Sequence, residues 1–451
     1  MSLSTQPYKG ARDFYPEDKR LQKYMFNKMR EVAERFGYEE YDAPILEPTE
    51  LYLSKGNQEI IDEQTYTFLD RGERSVTIRT EMTPTVSRMV AGKRQELAYP
   101  VRWYSIPNLW RYERTQRGRL REFWQFNADI FGVEGVEAEH EAILMAAQIM
   151  HTYGARADMY EIQISSRKLV DELFTEYLGL DQTQKDTLIR LIDRMKKMPY
   201  ETFAAQADSI LAPSQSESGV FDKLMQLLKV TKVSQLPEGF ASRPSVARLQ
   251  RLMDMLAASK VGNAKFDITL MRGFDYYTDM VFEVADTDPD NNRSMFGGGR
   301  YDGLVGMFGV EPVPTVGFAM GDVTLQNFLE SHGLLPQLAS ETDAYVILPG
   351  DNLYDRAQHT VAELRRMGLN IAVDPGNRKI EKQIKTAVKK GIHYAIFIGE
   401  EELSTQQYKL RNLVDSTEEV HGLERIVSIA KDRRRAGQIP TDAGDDEDLL
   451  A

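Results

Sequence analysis

Residues 103–132 read WYSIPNLWRYERTQRGRLREFWQFNADIFG and are the most informative segment of the sequence. Two strand-like runs flank a polar segment that holds five arginines between Arg111 and Arg121. The pattern predicts a β-hairpin, and successive side chains on a strand point to opposite sides of it. One face would carry Arg111, Glu113, Gln125, Asn127 and Asp129. Because guanidinium groups fit phosphate oxygens, we predict that Arg111 binds an anionic ligand.

The remaining arginines of this segment have two interpretations. Arg117, Arg119 and Arg121 would lie near the hairpin tip, where a solvated charged turn is as good an explanation as a ligand contact. The sequence leaves both open.

The composition excludes several classes of protein. With 451 residues, 42% hydrophobic and 28% charged, the chain is long enough for two or three domains. It has no cysteine, which excludes disulfides and thiolate chemistry, and its six histidines show no metal-ligand spacing. We find neither an apolar run of about 18 residues nor a signal-peptide pattern, so we expect no membrane contact and a cytoplasmic location.

The net charge of -13 does not exclude a polyanionic partner, because local basic clusters matter more than the total. Five acids lie in the C-terminal segment QIPTDAGDDEDLLA. We expect residues 438–451 to form an acidic disordered tail.

Periodicity divides the rest of the chain. Helical spacing over residues 18–36 ends at Gly37, and short β-rich runs follow up to about residue 132, as in an antiparallel sheet. Helical segments fill residues 166–260, which predicts an insertion, and strands resume in 261–335 to complete the sheet begun in 1–165. Strands and helices then alternate from 340 to 437, which predicts a separate α/β domain.

Two further segments carry chemistry. LMRGFDYY, residues 270–277, places Arg272 and two tyrosines in an apolar strand, although a surface pair between Arg272 and Asp275 would also explain it. FGGGRYDG, residues 296–303, and VGFAMGD, residues 316–322, are glycine-rich, which allows close approach to a ligand but is also typical of an ordinary turn. There is no P-loop or GxGxxG fingerprint, so a nucleotide would need another scaffold.

Taken in order, these segments resemble the histidyl-tRNA synthetase family over nearly the whole chain. GYEEYDAPILEP, with Pro44, is similar to class II motif 1, the hairpin to motif 2 and VGFAMGD to the start of motif 3. LMRGFDYY and GGGRYDGL are similar to the two signatures of the histidine enzymes. The resemblance implies an α+β catalytic domain with an antiparallel sheet, a helical insertion and a C-terminal α/β anticodon-binding domain. It also implies a homodimer and the activation of L-histidine with ATP for transfer to tRNA(His).

The resemblance assigns residues to the catalytic reaction. Arg111 would hold the α-phosphate of ATP, Glu113 would contact adenine, and Arg272 would be the catalytic arginine beside the α-phosphate. ATP would be accompanied by Mg²⁺. The histidine site would comprise Glu81, Thr83, Arg111, Gln125, Asp129, Arg272, Tyr276, Tyr277 and Tyr301, with Glu81 and Thr83 at the α-amino group and Asp129 at the imidazole.

The same resemblance assigns tRNA contacts. Arg114 and Gln116, in the motif 2 loop, would read the 5′ end of tRNA(His). Arg378, Lys382, Lys385 and Lys389 recur at helical spacing in the C-terminal domain and would bind RNA phosphates, although a solvated helix face explains these charges equally well.

The chain departs from the family pattern at three positions. Thr80 replaces a usual proline, and Asp129 stands where glutamate is frequent. Thr324 occupies the place of the motif 3 arginine that contacts ATP. Either Arg119 or Arg121 substitutes for that arginine, or ATP binding is impaired.

The missing arginine keeps a second function open: a catalytically silent, histidine-sensing regulatory subunit of the type that partners ATP phosphoribosyltransferase. Such paralogues lack the anticodon-binding domain that residues 340–437 are predicted to form. A class II synthetase for another amino acid would not be expected to carry the two histidine signatures that this chain has.

Overall fold

The structure, a computed structural model, describes residues 3–53, 64–271, 276–291, 294–376 and 378–436. It divides into two compact units, one up to Leu335 and the other from Pro336. The predicted acidic tail, residues 438–451, lies outside the described residues. Among those described, no helix is both long and apolar enough to cross a membrane.

The first half of the first unit alternates helices and short strands. Its elements are α1 (Pro16–Arg35), β1 (Glu39–Glu40), β2 (Leu46–Pro48), α2 (Glu50–Leu53), β3 (Tyr66–Leu69), β4 (Ser75–Ile78), α3 (Thr83–Gly92), β5 (Val101–Ser105), β6 (Asn108–Trp110), β7 (Glu122–Phe131), α4 (Glu137–Thr152) and β8 (Tyr160–Ser166).

A helical segment follows, and strands then return. The helices are α5 (Arg167–Glu172), continued by a π-helical turn (Leu173–Tyr177), α6 (Gln182–Asp193), a 3-10 turn (Met195–Lys197), α7 (Tyr200–Ile210), α8 (Pro213–Glu217), α9 (Val220–Leu227), a second 3-10 turn (Val233–Gln235) and α10 (Pro244–Ala258). The unit ends with β9 (Ala264–Phe266), β10 (Met280–Asp286), β11 (Ser294–Arg300), a 3-10 turn (Val305–Phe308), β12 (Thr315–Gly321) and α11 (Asp322–Ser331).

A nine-stranded sheet organises this unit. Its order is β1-β5-β7-β12-β11-β10-β8-β9, with β6 paired to β7. Every pairing is antiparallel except the two at the ends, β1 with β5 and β8 with β9. Of the strands after the helical segment, β10, β11 and β12 lie between β7 and β8, and β9 lies at the edge beside β8, so strands from both sides of that segment make up one sheet.

Helices α1 and α4 cover one face of the sheet because each presents an apolar stripe to it. In α1 the residues at helical spacing, Met25, Met29 and Val32, are buried together with Phe126 of β7. Burying side chains of this size contributes roughly 1.5–3 kcal/mol each. The long apolar contact fixes β7, whose other face points toward the candidate site.

Two expectations about strands were wrong. The runs TYTFL and SVTIRT do not join the large sheet; β3 and β4 form a three-stranded sheet with β2, in the order β2-β4-β3. The segment around LMRGFDYY is also not a continuous strand, because residues 267–271 and 276–279 lie outside β9 and β10. Asp267 instead accepts hydrogen bonds from the backbone and hydroxyl of Thr269, which favours a turn.

The second unit has its own sheet and core. Its elements are β13 (Ala344–Ile347), α12 (Leu353–Arg366), β14 (Ile371–Val373), α13 (Ile380–Lys389), β15 (Tyr394–Phe397), α14 (Glu400–Thr405), β16 (Tyr408–Asn412), β17 (Glu418–His421) and α15 (Leu423–Ala436). The order is β14-β13-β15-β16-β17, with the first three strands parallel and the last two antiparallel. The predicted alternation accounts for β13 to β15, whereas β16 and β17 escaped the sequence analysis.

Candidate active site

The floor of the candidate site is the centre of the large sheet, where β7, β12 and β11 lie side by side. Register places Gly317 of β12 between Asp129 of β7 and Gly299 of β11. A Cβ atom at Gly317 would overlap the Asp129 carboxylate. The glycine of VGFAMGD therefore allows a buried acid to face a cavity from the middle of the sheet.

This cavity has a volume of about 290 Å³, just below the roughly 300–1,000 Å³ typical of small-molecule sites. Eight of the nine residues predicted to bind histidine line it: Glu81, Thr83, Arg111, Gln125, Asp129, Tyr276, Tyr277 and Tyr301. The ninth, Arg272, lies outside the described residues. Segments far apart in the sequence thus converge on one small pocket.

Asp129 is the buried acid at one end of this pocket. Its side chain accepts a hydrogen bond from the hydroxyl of Tyr301, and both residues are almost fully buried. Burial raises the pKa of Asp129 to about 7, only partly opposed by that hydrogen bond. A ligand that donates an N–H here would favour the ionised carboxylate.

Glu81 is a second buried acid in the same pocket. The hydroxyl of Tyr276 donates to its Oε2 at 3.1 Å. Burial raises the pKa of Glu81 to about 7, with the nearby charge of Arg111 acting in the opposite direction. A cationic ligand group would restore its charge, as an α-ammonium group does.

Three tyrosines form the wall between these acids. The ring centroids of Tyr276 and Tyr301 are 5.6 Å apart, and those of Tyr276 and Tyr277 are 5.1 Å apart, both in edge-to-face geometry. Such contacts hold aromatic rings in fixed orientations. The pocket therefore combines a rigid aromatic wall with two acidic groups.

Arg111 is not deep in a strand, as the sequence suggested, but follows β6 directly. Its backbone N–H still donates to the carbonyl of Arg121, and its Nε donates to the carbonyl of Thr80 at 3.1 Å. The guanidinium carbon lies 5.4 Å from the ring centre of Phe123. Arg111 lines both the small pocket and a second, larger cavity, so it marks the place where the two cavities meet.

The larger cavity has a volume of about 820 Å³. Glu113 and Arg119 line it, with Arg119 Nη1 3.3 Å from Glu113 Oε2. Thr324 lines it too, and its hydroxyl donates to the carbonyls of Met295 and Gly321. Of the two candidates for replacing the motif 3 arginine, the structure brings only Arg119 to this cavity.

Arg121 is turned elsewhere, which corrects its assignment to ATP. Its guanidinium carbon lies 3.9 Å from the ring centre of Tyr112, and its Nη1 donates to the hydroxyl of Tyr8 at 3.2 Å. Its Nε donates to the backbone carbonyl of Glu113. Arg121 therefore ties the start of the chain to the hairpin.

The start of α11 shows what has replaced the usual motif 3 sequence. Asp322 accepts a hydrogen bond from Arg12 at 2.7 Å and one from the backbone N–H of Trp124 at 3.0 Å. Arg12 also lies 4.8 Å from the ring centre of Phe14. The sequence does not predict this pair, since nothing local connects residues 12 and 322.

The residues predicted to contact tRNA lie in both units. Arg114 and Gln116 are exposed on the hairpin loop, and Lys382, Lys385 and Lys389 are exposed on α13. Arg378 does not belong to that helix, which begins at Ile380. Its guanidinium is held by Asp374, 2.5 Å away, so it is a weaker phosphate ligand than its spacing suggested.

Several lining residues of the two cavities were not predicted from the sequence. Phe123, Leu270, Glu283 and Lys197 line one or both of them. Glu283 could have been found as an acid interrupting the apolar strand VFEVA, whereas Lys197 carries no local signal.

Comparison with known proteins identifies the family of the chain. The family model described as Histidyl-tRNA synthetase matches residues 10–324, and the model described as Anticodon binding domain matches residues 343–433. The histidine–tRNA ligase of Leptospira biflexa is 40% identical over 412 residues, 91% of this chain and 94% of that protein. The histidine–tRNA ligase of Thermoplasma volcanium is 35% identical over 425 residues, 94% and 98% of the two chains.

The crystal structure of histidyl-tRNA synthetase from a Nostoc species superimposes with a TM-score of 0.81 at 22% identity, covering 96% of this chain and 100% of the other. This similarity establishes the fold. The family model and the two relatives match most of the chain. The chain therefore belongs to the histidyl-tRNA synthetase family.

Proposed function

We propose that this chain activates L-histidine with ATP and transfers it to the 3′ end of tRNA(His). One observation carries the proposal: a small pocket with two buried acids meets a larger cavity at Arg111. In the first step, the carboxylate of histidine attacks the α-phosphorus of ATP, and pyrophosphate leaves. In the second, a ribose hydroxyl of the terminal nucleotide attacks the carbonyl carbon of histidyl-adenylate, and AMP leaves.

The small pocket would select histidine through its two ends. Glu81 would receive the α-ammonium group, and Asp129 an imidazole N–H. A substrate without that N–H leaves a buried carboxylate unpaired, which is the kind of contact that discriminates strongly. Tyr276, Tyr277 and Tyr301 would fix the plane of the ring between the two acids.

Arg111 would lie beside the α-phosphate, because it borders both cavities. A fixed guanidinium neutralises charge that develops on phosphate oxygens during the reaction. Glu113 would contact the adenine amino group and Phe123 its ring, while Arg119 would take a phosphate in place of the absent motif 3 arginine. The catalytic role assigned to Arg272 stays a prediction, since this residue lies outside the described part of the chain.

Mg²⁺ would enter with ATP. The described residues hold no group of three or more His, Asp or Glu side chains placed to bind an ion by themselves. Mg²⁺ bound to a nucleotide needs only one or two carboxylates besides phosphates and water. Glu283 and Asp267, which line the larger cavity, fit that requirement, and the ion would screen the charge of the triphosphate.

The second unit would bind the anticodon stem of tRNA(His) through the exposed lysines of α13, Lys382, Lys385 and Lys389. The hairpin residues Arg114 and Gln116 would contact the acceptor end. Binding that depends on phosphate contacts should weaken as salt rises. A cytoplasmic location remains an expectation.

The chain would act as a homodimer. Leu46 of β2 pairs with Ile78 of β4, and Phe68 of β3 pairs with Val76 of β4, so these side chains share one face of the three-stranded sheet. Leu46 and Phe68 are each 46% exposed. This sheet includes the end of the segment that is similar to motif 1. An exposed apolar face next to that segment supports contact with a second copy.

The alternative, a silent regulatory subunit, rests on Thr324 alone. The second unit and the intact pocket do not favour it. Exchange of labelled pyrophosphate into ATP, measured with each standard amino acid, separates the two functions. We expect exchange with histidine only, and no exchange with any amino acid would refute the proposed activity.

A further inference from the structure

The larger cavity has a wall that the catalytic motifs do not supply. Besides the hairpin loop and the start of α11, it is lined by Ile192, Asp193 and Lys197, at the end of α6 and in the 3-10 turn that follows. These residues come from the helical segment between motifs 2 and 3. The helical segment therefore closes one side of the cavity assigned to ATP.

The hairpin loop and α11 lie side by side at another part of the cavity wall, which includes Thr324. Gly118, at the tip of the hairpin loop, is so close to α11 that a Cβ atom there would lie 3.7 Å from Thr324 Cγ2 and 3.7 Å from Asn327 Nδ2. A tight turn holds this tip, with backbone hydrogen bonds of 2.9 and 3.1 Å between Gln116 and Arg119. The loop tip thus lies next to Thr324, whose short side chain brings no charge to the cavity.

Among the described residues, the cations that line this cavity are Arg111, Arg117, Arg119 and Lys197. Arg119 is paired with Glu113, and Arg117 donates to the hydroxyl of Ser331 at 3.3 Å. Lys197 is exposed and forms no ion pair with any described residue. Its long flexible side chain can therefore turn to an anion in the cavity without breaking an existing contact.

We propose that Lys197 binds the β- or γ-phosphate of ATP and, from the helical insertion, supplements Arg119 in replacing the charge that Thr324 cannot provide. This inference rests on the proposed function, because it assigns ATP to the larger cavity. The α-phosphate lies at Arg111, where the cavities meet, so the rest of the triphosphate extends into the larger one. A phosphate contact from the insertion makes ATP binding depend on a segment outside the three class II motifs.

The test compares ATP with adenosine, which lacks phosphates, in equilibrium binding by calorimetry. In Lys197→Ala the Kd for ATP should rise about tenfold, the loss expected for one charge-assisted hydrogen bond, while the Kd for adenosine stays unchanged. Lys197→Arg should keep most of the affinity. Lys229→Ala, at an exposed lysine of the same insertion that does not line the cavity, is the matched control and should bind both ligands normally.

Several results would overturn the proposal. Unchanged ATP affinity in Lys197→Ala removes the contact, and an equal loss of adenosine affinity shows a structural role. A raised KM for tRNA with normal ATP binding assigns the lysine to RNA instead. Binding is measured without turnover, so absence of pyrophosphate exchange in the wild-type protein would refute the proposed activity without affecting this test.

Discussion

Replacing Asp129 with asparagine should stabilise the free protein at alkaline pH and at the same time remove histidine activation. The carboxylate is nearly fully buried, and the Tyr301 hydroxyl is its hydrogen-bond donor in the pocket. Asparagine has nearly the same shape, can accept the same hydrogen bond and carries no charge. The substitution therefore isolates the cost of keeping a carboxylate in this position.

The magnitude follows from the pKa. Burial raises it from 3.8 to about 7, so the folded protein holds a proton that the unfolded chain releases in that interval. Stability must then fall as pH rises from about 4 to 7, and the full cost is present above 7. At about 1.4 kcal/mol per pKa unit, this group lowers the free energy of unfolding by up to about 4 kcal/mol at pH 8. The asparagine variant avoids that loss.

Thermal unfolding without ligands, followed from pH 5 to pH 8.5, measures the effect. The melting temperature of the wild-type protein should fall more steeply with pH than that of Asp129→Asn. Asp222→Asn, at an exposed acid of α9, serves as the control and should follow the wild type. Parallel pH profiles for the wild type and Asp129→Asn would show that burial of this carboxylate costs nothing, and the reasoning would fail.

Three other substitutions test the site and its support. Arg111→Ala should lower pyrophosphate exchange at least about a hundredfold with an unchanged circular dichroism spectrum; a fully active variant would contradict its role at the α-phosphate. Tyr276→Phe, which removes the hydroxyl that donates to Glu81, should raise the KM for histidine about fivefold and leave the KM for ATP unchanged, as initial-rate kinetics will show. Glu139→Gln removes the charge that faces the buried Arg300 and should lower the free energy of unfolding by about 3 kcal/mol; an unchanged urea midpoint would refute this.

The parts of the fold that the sequence predicted are those with a strong local period. Helix α1 has its apolar residues at helical spacing, and β13 to β15 alternate with helices in the expected order. The predicted fold class and family are confirmed. The three-stranded sheet was not predicted because tertiary contacts decide which strands pair. The sequence of a short run such as TYTFL does not indicate which sheet the strand joins.

Side-chain partners set the limit on predicting the site. Arg119 and Arg121 are two residues apart in one loop. Arg119 lines the larger cavity, whereas Arg121 packs on Tyr112. The spacing of Arg378 predicted that it belongs to a basic stripe, whereas in the structure Arg378 is paired with Asp374. Lys197 reaches the cavity only through the fold of the insertion. The sequence shows which groups are present, whereas the fold determines which of them are already paired.

The two raised pKa values together explain how a pocket with two acids can select a neutral or cationic substrate. At neutral pH, Glu81 and Asp129 are each close to their pKa of about 7. In the empty pocket each acid can therefore be protonated, which avoids a buried charge without a ligand. A ligand with a donor at only one end restores one carboxylate and leaves the other acid protonated, without a ligand contact. Histidine carries an ammonium group and an imidazole N–H, and in the proposed binding mode it would restore both. Its binding should therefore weaken as pH falls below 7, because protonated acids offer poorer acceptors to both donors.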